Sequence, residues 1–200
     1  MSCKIVTGLI PSDCQDISVG GVTGRFWLIP QDDYLAAAIT EGSDGEITAI
    51  VPVAPPANFA FAYRFVVPPK SLVTGNAYTA NAGVSGLTHL FTALVSDMKM
   101  DQKNSLASLF NLARCLVIVE TQAAKAAAPA DSESPPYLLY GKGSGLEMSA
   151  TETNLADQAV GNGIQITLTT PTNSRLELNY PTNVIMTTAA VEALEAVTAP

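Results

Sequence analysis

Charge is scarce in this 200-residue chain: Asp, Glu, Lys and Arg make up 14% of it, against the roughly 25% of an ordinary soluble domain. With 48% hydrophobic residues and a mean hydropathy of +0.25, part of the surface is expected to be covered by subunit interfaces rather than solvent. The little charge present is acidic, 10 Lys+Arg against 18 Asp+Glu for a net −8. Arg25, Arg64, Arg114 and Arg175 are scattered singly, so no basic patch offers the counterion release that drives nucleic-acid binding. Histidine occurs once, at His89, which excludes a multi-histidine metal site and leaves a Cys–His dyad only if His89 meets a distant cysteine. Cys3, Cys14 and Cys115 cannot all pair within one chain and form no CxxC unit, which fits a reducing compartment better than secretion. Cys115 opens an apolar run and reads as a small buried hydrophobe. No apolar run approaches the roughly 18 residues of a spanning helix. The first residues, MSCKIVTGLIPSDCQ, lack the continuous apolar stretch of a signal peptide.

The motifs that suggest chemistry read better as structure. GKGSG at 141–145 lacks the GxxxxGK[ST] spacing and following helix of a phosphate-binding loop, and reads as a β-turn. Asp32-Asp33, Glu41, Asp44 and Glu46 do not match a calcium loop with its distal glutamate. Asp13 and Asp16 have no recognisable acid–base partner, and His89 sits in the strand-like LTHLFTALV. The expectation is therefore no catalytic residue, no cofactor and no metal. Trp27, the single tryptophan, lies in a strand and reads as core rather than as a sugar platform.

What the chain does have is strand. Two hundred residues suit one all-β domain, taken as 1–200. RFWLI at 25–29 reads as a strand closed by Pro30, and Ser43-Asp44-Gly45 as a hairpin turn between strands near 35–40 and 46–53,. In FAFAYRFVV, Phe59, Phe61, Tyr63, Phe65 and Val67 alternate with Ala60, Ala62, Arg64 and Val66. That period of two predicts one strand whose aromatic face anchors the core. A loop around Thr74-Gly75-Asn76 then precedes a long strand, YTANAGVSGLTHLFTALV, bent at Gly83 or Gly86,, so that 54–80 can serve as an arm towards a neighbour. Near 102–114, Leu106, Leu109, Phe110 and Ala113 follow helical spacing,, and CLVIVET with Val117 and Val119 resumes the sheet. The segment 122–136, rich in alanine and proline, reads as a long loop or second arm. YLLYGKGSGLEMSA, GIQITLTT and SRLELNY add strands, and TTAAVEALEAV closes with a short helix. The expected fold is mainly β, a sandwich or barrel of about eight to ten strands with one flanking helix. Its packing residues are Phe59, Phe61, Phe65, Leu106, Leu109, Phe110, Val117 and Val119.

The order of these pieces, with SVGG, RCLVIVET and YLLYGKGSGLE carrying most of it, resembles tailed-bacteriophage virion proteins of the tail-tube type, including those of phages of Bacteroidetes. The alanine- and proline-rich stretch at 122–136 departs from that pattern. The resemblance implies a fold similar to the tube of type VI secretion. It further implies a non-enzymatic homo-oligomeric ring, a hexamer with a dodecamer as the alternative, located in the virion tail and assembled in the host cytoplasm. Other tail or neck proteins would be its partners, and the genome would pass through the lumen without sequence-specific contact. A net acidic wall suits sliding DNA, since like charges prevent sticking. The alternatives are a head–tail joining or capsid decoration protein, and a glycan- or small-ligand-binding β domain.

Overall fold

In the computed structural model the described residues are 21–42, 47–53, 61–67, 71–81, 84–96, 114–122, 136–143, 145–154, 163–170, 184–186, 190–191 and 194. The elements run in chain order as β1 (Val22–Pro30), α1 (Gln31–Ala36), β2 (Ala38–Glu41), β3 (Ile47–Val51), β4 (Tyr63–Val66) and β5 (Leu72–Asn81). They continue with β6 (Val84–Ser96), β7 (Cys115–Thr121), β8 (Tyr137–Tyr140), β9 (Glu147–Asn154), β10 (Gly163–Thr169) and β11 (Val184–Met186). The fold is mainly β. One sheet has the order β2-β3-β11-β8-β7-β1-β4 and the other β5-β6-β10-β9. Strand pairs are antiparallel except β11 with β3.

The larger sheet is a wall between two apolar layers, and the alternation of strand side chains sorts residues onto its faces. On one face Phe26 and Leu28 of β1, Val117 and Val119 of β7 and Tyr140 of β8 meet Leu72, Phe91, Ala93, Val95, Ile166 and Leu168 of the smaller sheet. On the other face Trp27, Ile29, Leu116, Ile118, Tyr137 and Leu139 are covered by Tyr34 of α1, by Phe61 and Ala62, and by the helical residues Ala190, Val191 and Leu194. β7 is therefore buried along its whole length, which is why its first five residues, CLVIV, are continuously apolar rather than alternating. Each large side chain sealed in these layers contributes about 1.5–3 kcal/mol. Phe26 stacks on Phe65 at 5.1 Å between centroids and meets Phe91 edge-on at 4.9 Å. Trp27 meets Tyr137 edge-on at 5.9 Å.

Four sequence expectations change. The strand placed at 35–40 begins only at Ala38, because Gln31–Ala36 is helical. Asp32 and Asp33 occupy its first turn, where carboxylates are favourable, and alanine favours helix. The aromatic strand is shorter than its pattern: β4 starts at Tyr63, and Phe61 with Ala62 packs on the face of the wall opposite Phe65 and Val67. A bend at 61–62 ends the alternation that the residue types continue. Thr74-Gly75-Asn76 is not a loop but the middle of β5, paired with Phe91, Leu90 and His89. The long strand from Tyr78 is accordingly a hairpin, with Asn81 opposite Val84, so 63–66 and 72–80 of the expected 54–80 belong to sheets. The expected helix at 102–113, Phe59, and 123–135 lie outside the described residues. Arg114, expected to end that helix, precedes β7 in non-helical conformation.

Candidate functional site

Strand edges, where backbone N–H and C=O groups lack a partner, are the reactive surface of a β protein. Among the described residues β2 and β4 flank the larger sheet and β5 and β9 the smaller. The β5–β6 ladder runs from Leu72↔Ala93 to Asn81↔Val84, whereas β10 covers β6 only from Leu90 to Ser96. Thr170 ends that cover, its amide bonded to the His89 carbonyl and its hydroxyl accepting the His89 amide at 2.9 Å. Beyond it, 77–81 and 84–88 form a two-stranded ribbon with no third strand among the described residues. Large apolar side chains are exposed near the edges: Val66 on β4 (64%), Val51 on β3 (60%), and Val73 on β5 (55%). Leu35, Val53 and Leu90 add to them.

The polar clusters are structural in form. At a bulge in β1 between Val22 and Phe26, the buried Glu120 accepts a hydrogen bond from the Thr23 hydroxyl and lies 3.5 Å from the half-exposed Arg25 guanidinium. Its charge is thus solvated by protein groups inside the wall. The GKGSG segment is the corner where the chain leaves β8 of one sheet for β9 of the other. Leu146 and Cys115 exchange backbone hydrogen bonds of 2.7 and 3.0 Å, and the Gln31 amide donates to the Arg114 carbonyl at 2.8 Å. Lys142 reaches Glu41 at 2.6 Å and Arg114 reaches Glu147 at 2.8 Å, tying the corner to β2 and β9.

His89 is buried and meets Tyr140 edge-on at 5.6 Å. Burial pushes the Tyr140 hydroxyl above its usual range, opposed by a hydrogen bond with Thr74. Burial also pushes the Cys115 thiol up to about 12, which keeps it protonated and poorly nucleophilic. Burial, and then Asp32, raise the Asp33 carboxyl. Among the described residues no group of three or more His, Cys, Asp or Glu side chains is placed to hold a metal, and no helix is long and apolar enough to cross a membrane.

Of the packing residues named from sequence, Val117 and Val119 are fully buried against the smaller sheet and Phe65 packs partly buried beside them. Phe61 lies in the opposite layer; Phe59, Leu106, Leu109 and Phe110 are outside the described residues. Sequence reading missed the exposed valines Val51, on β3 beside the edge strand β2, and Val66, on the edge strand β4. Val66 sits between Arg64 and the prolines, and its exposure follows only from β4 being the last strand of its sheet. The buried Glu120 was missed too; its signal is a lone carboxylate inside CLVIVET. Compared with family models, with curated proteins and with solved structures, the chain matches none.

Proposed function

We propose that this chain is a non-enzymatic structural subunit that assembles with copies of itself into rings of a phage tail tube or neck, conducting the genome through the pore. The observation that carries this reading is the ribbon 77–81/84–88, which, among the described residues, extends past the last strand that supports it. A two-stranded hairpin is marginal in water and is stabilised by a further strand or an apolar face, which a neighbouring copy supplies. The exposed valines at sheet edges and the 14% charge support the same reading, because edge pairing between copies removes exposed edges. Other tail or neck proteins are the further partners, in the virion, with assembly in the host cytoplasm.

The test is negative-stain microscopy with light scattering on the purified chain over a concentration series. Rings or tubes are expected. A second sample in which 78–87 is replaced by a short turn should keep the β spectrum and lose the assemblies. A full-length chain that stays monodisperse and monomeric at the highest concentration refutes the proposal.

A further inference from the structure

Strand β11 is the seam of the larger sheet. It lies antiparallel to β8, with Val184, Ile185 and Met186 opposite Leu139, Leu138 and Tyr137, and parallel to β3 through Met186 opposite Ile47. Among the described residues no other strand joins the β2–β3 hairpin to β8, β7, β1 and β4. The residues just after β11 complete the layer above it: Ala190, Val191 and Leu194 are buried with Ile47, Ile50, Trp27 and Leu139. One short piece near the end of this sequence therefore fills a slot between two strand edges and seals an apolar layer.

That slot specifies a strand, not the chain the strand comes from. Residues 171–183 connect β10 to β11, and a span of that length reaches up to about 45 Å when extended. This is on the order of the diameter of a domain of this size. Insertion from a neighbour would recreate the same ladder and the same burial, which is why exchange of an identical element is a low-cost route to association. We infer that β11 with Ala190, Val191 and Leu194 is an exchangeable clasp, and that its seat between β3 and β8 takes the β11 of a second copy in the assembled state. The inference rests on the self-assembly proposed above and names the element that links the copies.

Opposed Cα atoms in an antiparallel pair are about 4.5–5.5 Å apart, within disulfide range, so the ladder can be read by cross-linking. In a full-length Cys3→Ser, Cys14→Ser background, one chain carries Leu138→Cys and another Ile185→Cys. Cys115 is buried with its thiol held protonated, so it does not compete. A double variant carrying both cysteines reports whether the fold presents the pair, and Tyr137→Cys with Met186→Cys repeats the measurement at the adjacent register. The expected result is a shift from monomer to dimer mass on non-reducing gels when the two single variants are co-assembled and oxidised. Closure within one chain by the double variants, with no mixed dimer from the assembled fraction in either register, overturns the inference. Rings that form without mixed dimers would refute the clasp and leave the assembly proposal standing; absence of rings refutes the latter whatever the gels show.

Discussion

The corner at Gly145 offers a direct test of how the two sheets are joined. Gly145 has φ +72°, and a Cβ built there falls 2.7 Å from the Arg114 Cβ and 2.7 Å from Gln31 Oε1. The glutamine amide is the end of a flexible side chain and can swing aside. The Arg114 Cβ cannot, because the carbonyl of that residue accepts from the Gln31 backbone N–H at 2.8 Å. Gly145→Ala combines left-handed strain of about 1–2 kcal/mol with overpacking of about 1–3 kcal/mol. The expected loss is about 2–5 kcal/mol out of a total of about 5–15. Gly75, in the middle of β5 with nothing within 4 Å of its virtual Cβ, is the matched control: glycine in a strand interior costs about 0.5–1 kcal/mol relative to alanine, so Gly75→Ala should stabilise. Urea unfolding followed by tryptophan fluorescence reads both, since Trp27 is the single tryptophan and is buried. With a slope of about 1–3 kcal/mol per molar urea, Gly145→Ala should lower the midpoint by about a molar or more at unchanged slope. If Gly145→Ala unfolds within about 0.5 kcal/mol of the parent chain, the corner is not the constraint described here.

Other outcomes follow from the same structure. Ile118→Ala, inside the layer beneath α1, should cost about 2–5 kcal/mol by thermal or urea unfolding. Val66→Lys on the edge strand should change monomer stability by no more than about 0.5 kcal/mol while abolishing assembly in light scattering; unaltered assembly would count against the β4 edge as a contact. Cys115 has a folded pKa of about 12, above its ordinary value of 9.0. The folded chain therefore holds that proton longer than the unfolded one, and its contribution is complete below pH 9 and falls away as pH rises towards about 12. The loss approaches about 4 kcal/mol at the top of that window, at roughly 1.4 kcal/mol per unit. Cys115→Ala should flatten the alkaline limb of the stability curve, and the native thiol should resist disulfide reagents at neutral pH until the chain unfolds.

Strands β1 and β7 were legible because aromatic and β-branched residues dominate RFWLI and CLVIVET. That both are buried on two faces was not, since it depends on what lies above and below them. The hairpin at 38–51 was readable from its turn chemistry, but Leu35 and Ala36, the end of the helical QDDYLA, fall inside the expected strand at 35–40 although the acidic start and alanines favour helix. Phe61 shows the limit of periodicity: the residue types keep alternating across a bend that backbone geometry alone decides. The same holds for β5, where Thr74-Gly75-Asn76 is turn-forming in composition and yet is held extended by the ladder to β6. Edge position, which makes Val66 a surface residue, is a property of sheet order and has no local sequence mark.

The two faces of the wall have a consequence for how this subunit loses its structure. Since β1 and β7 supply neighbouring residues alternately to both layers, neither layer can open without dragging the strands that hold the other. Melting should be one event, seen alike from Trp27 in one layer and Phe26 in the other, and amide protons of β7 should exchange only through global opening. In the ring proposed above, such a subunit would carry load through β1 and β7, the strands that hold both layers at once.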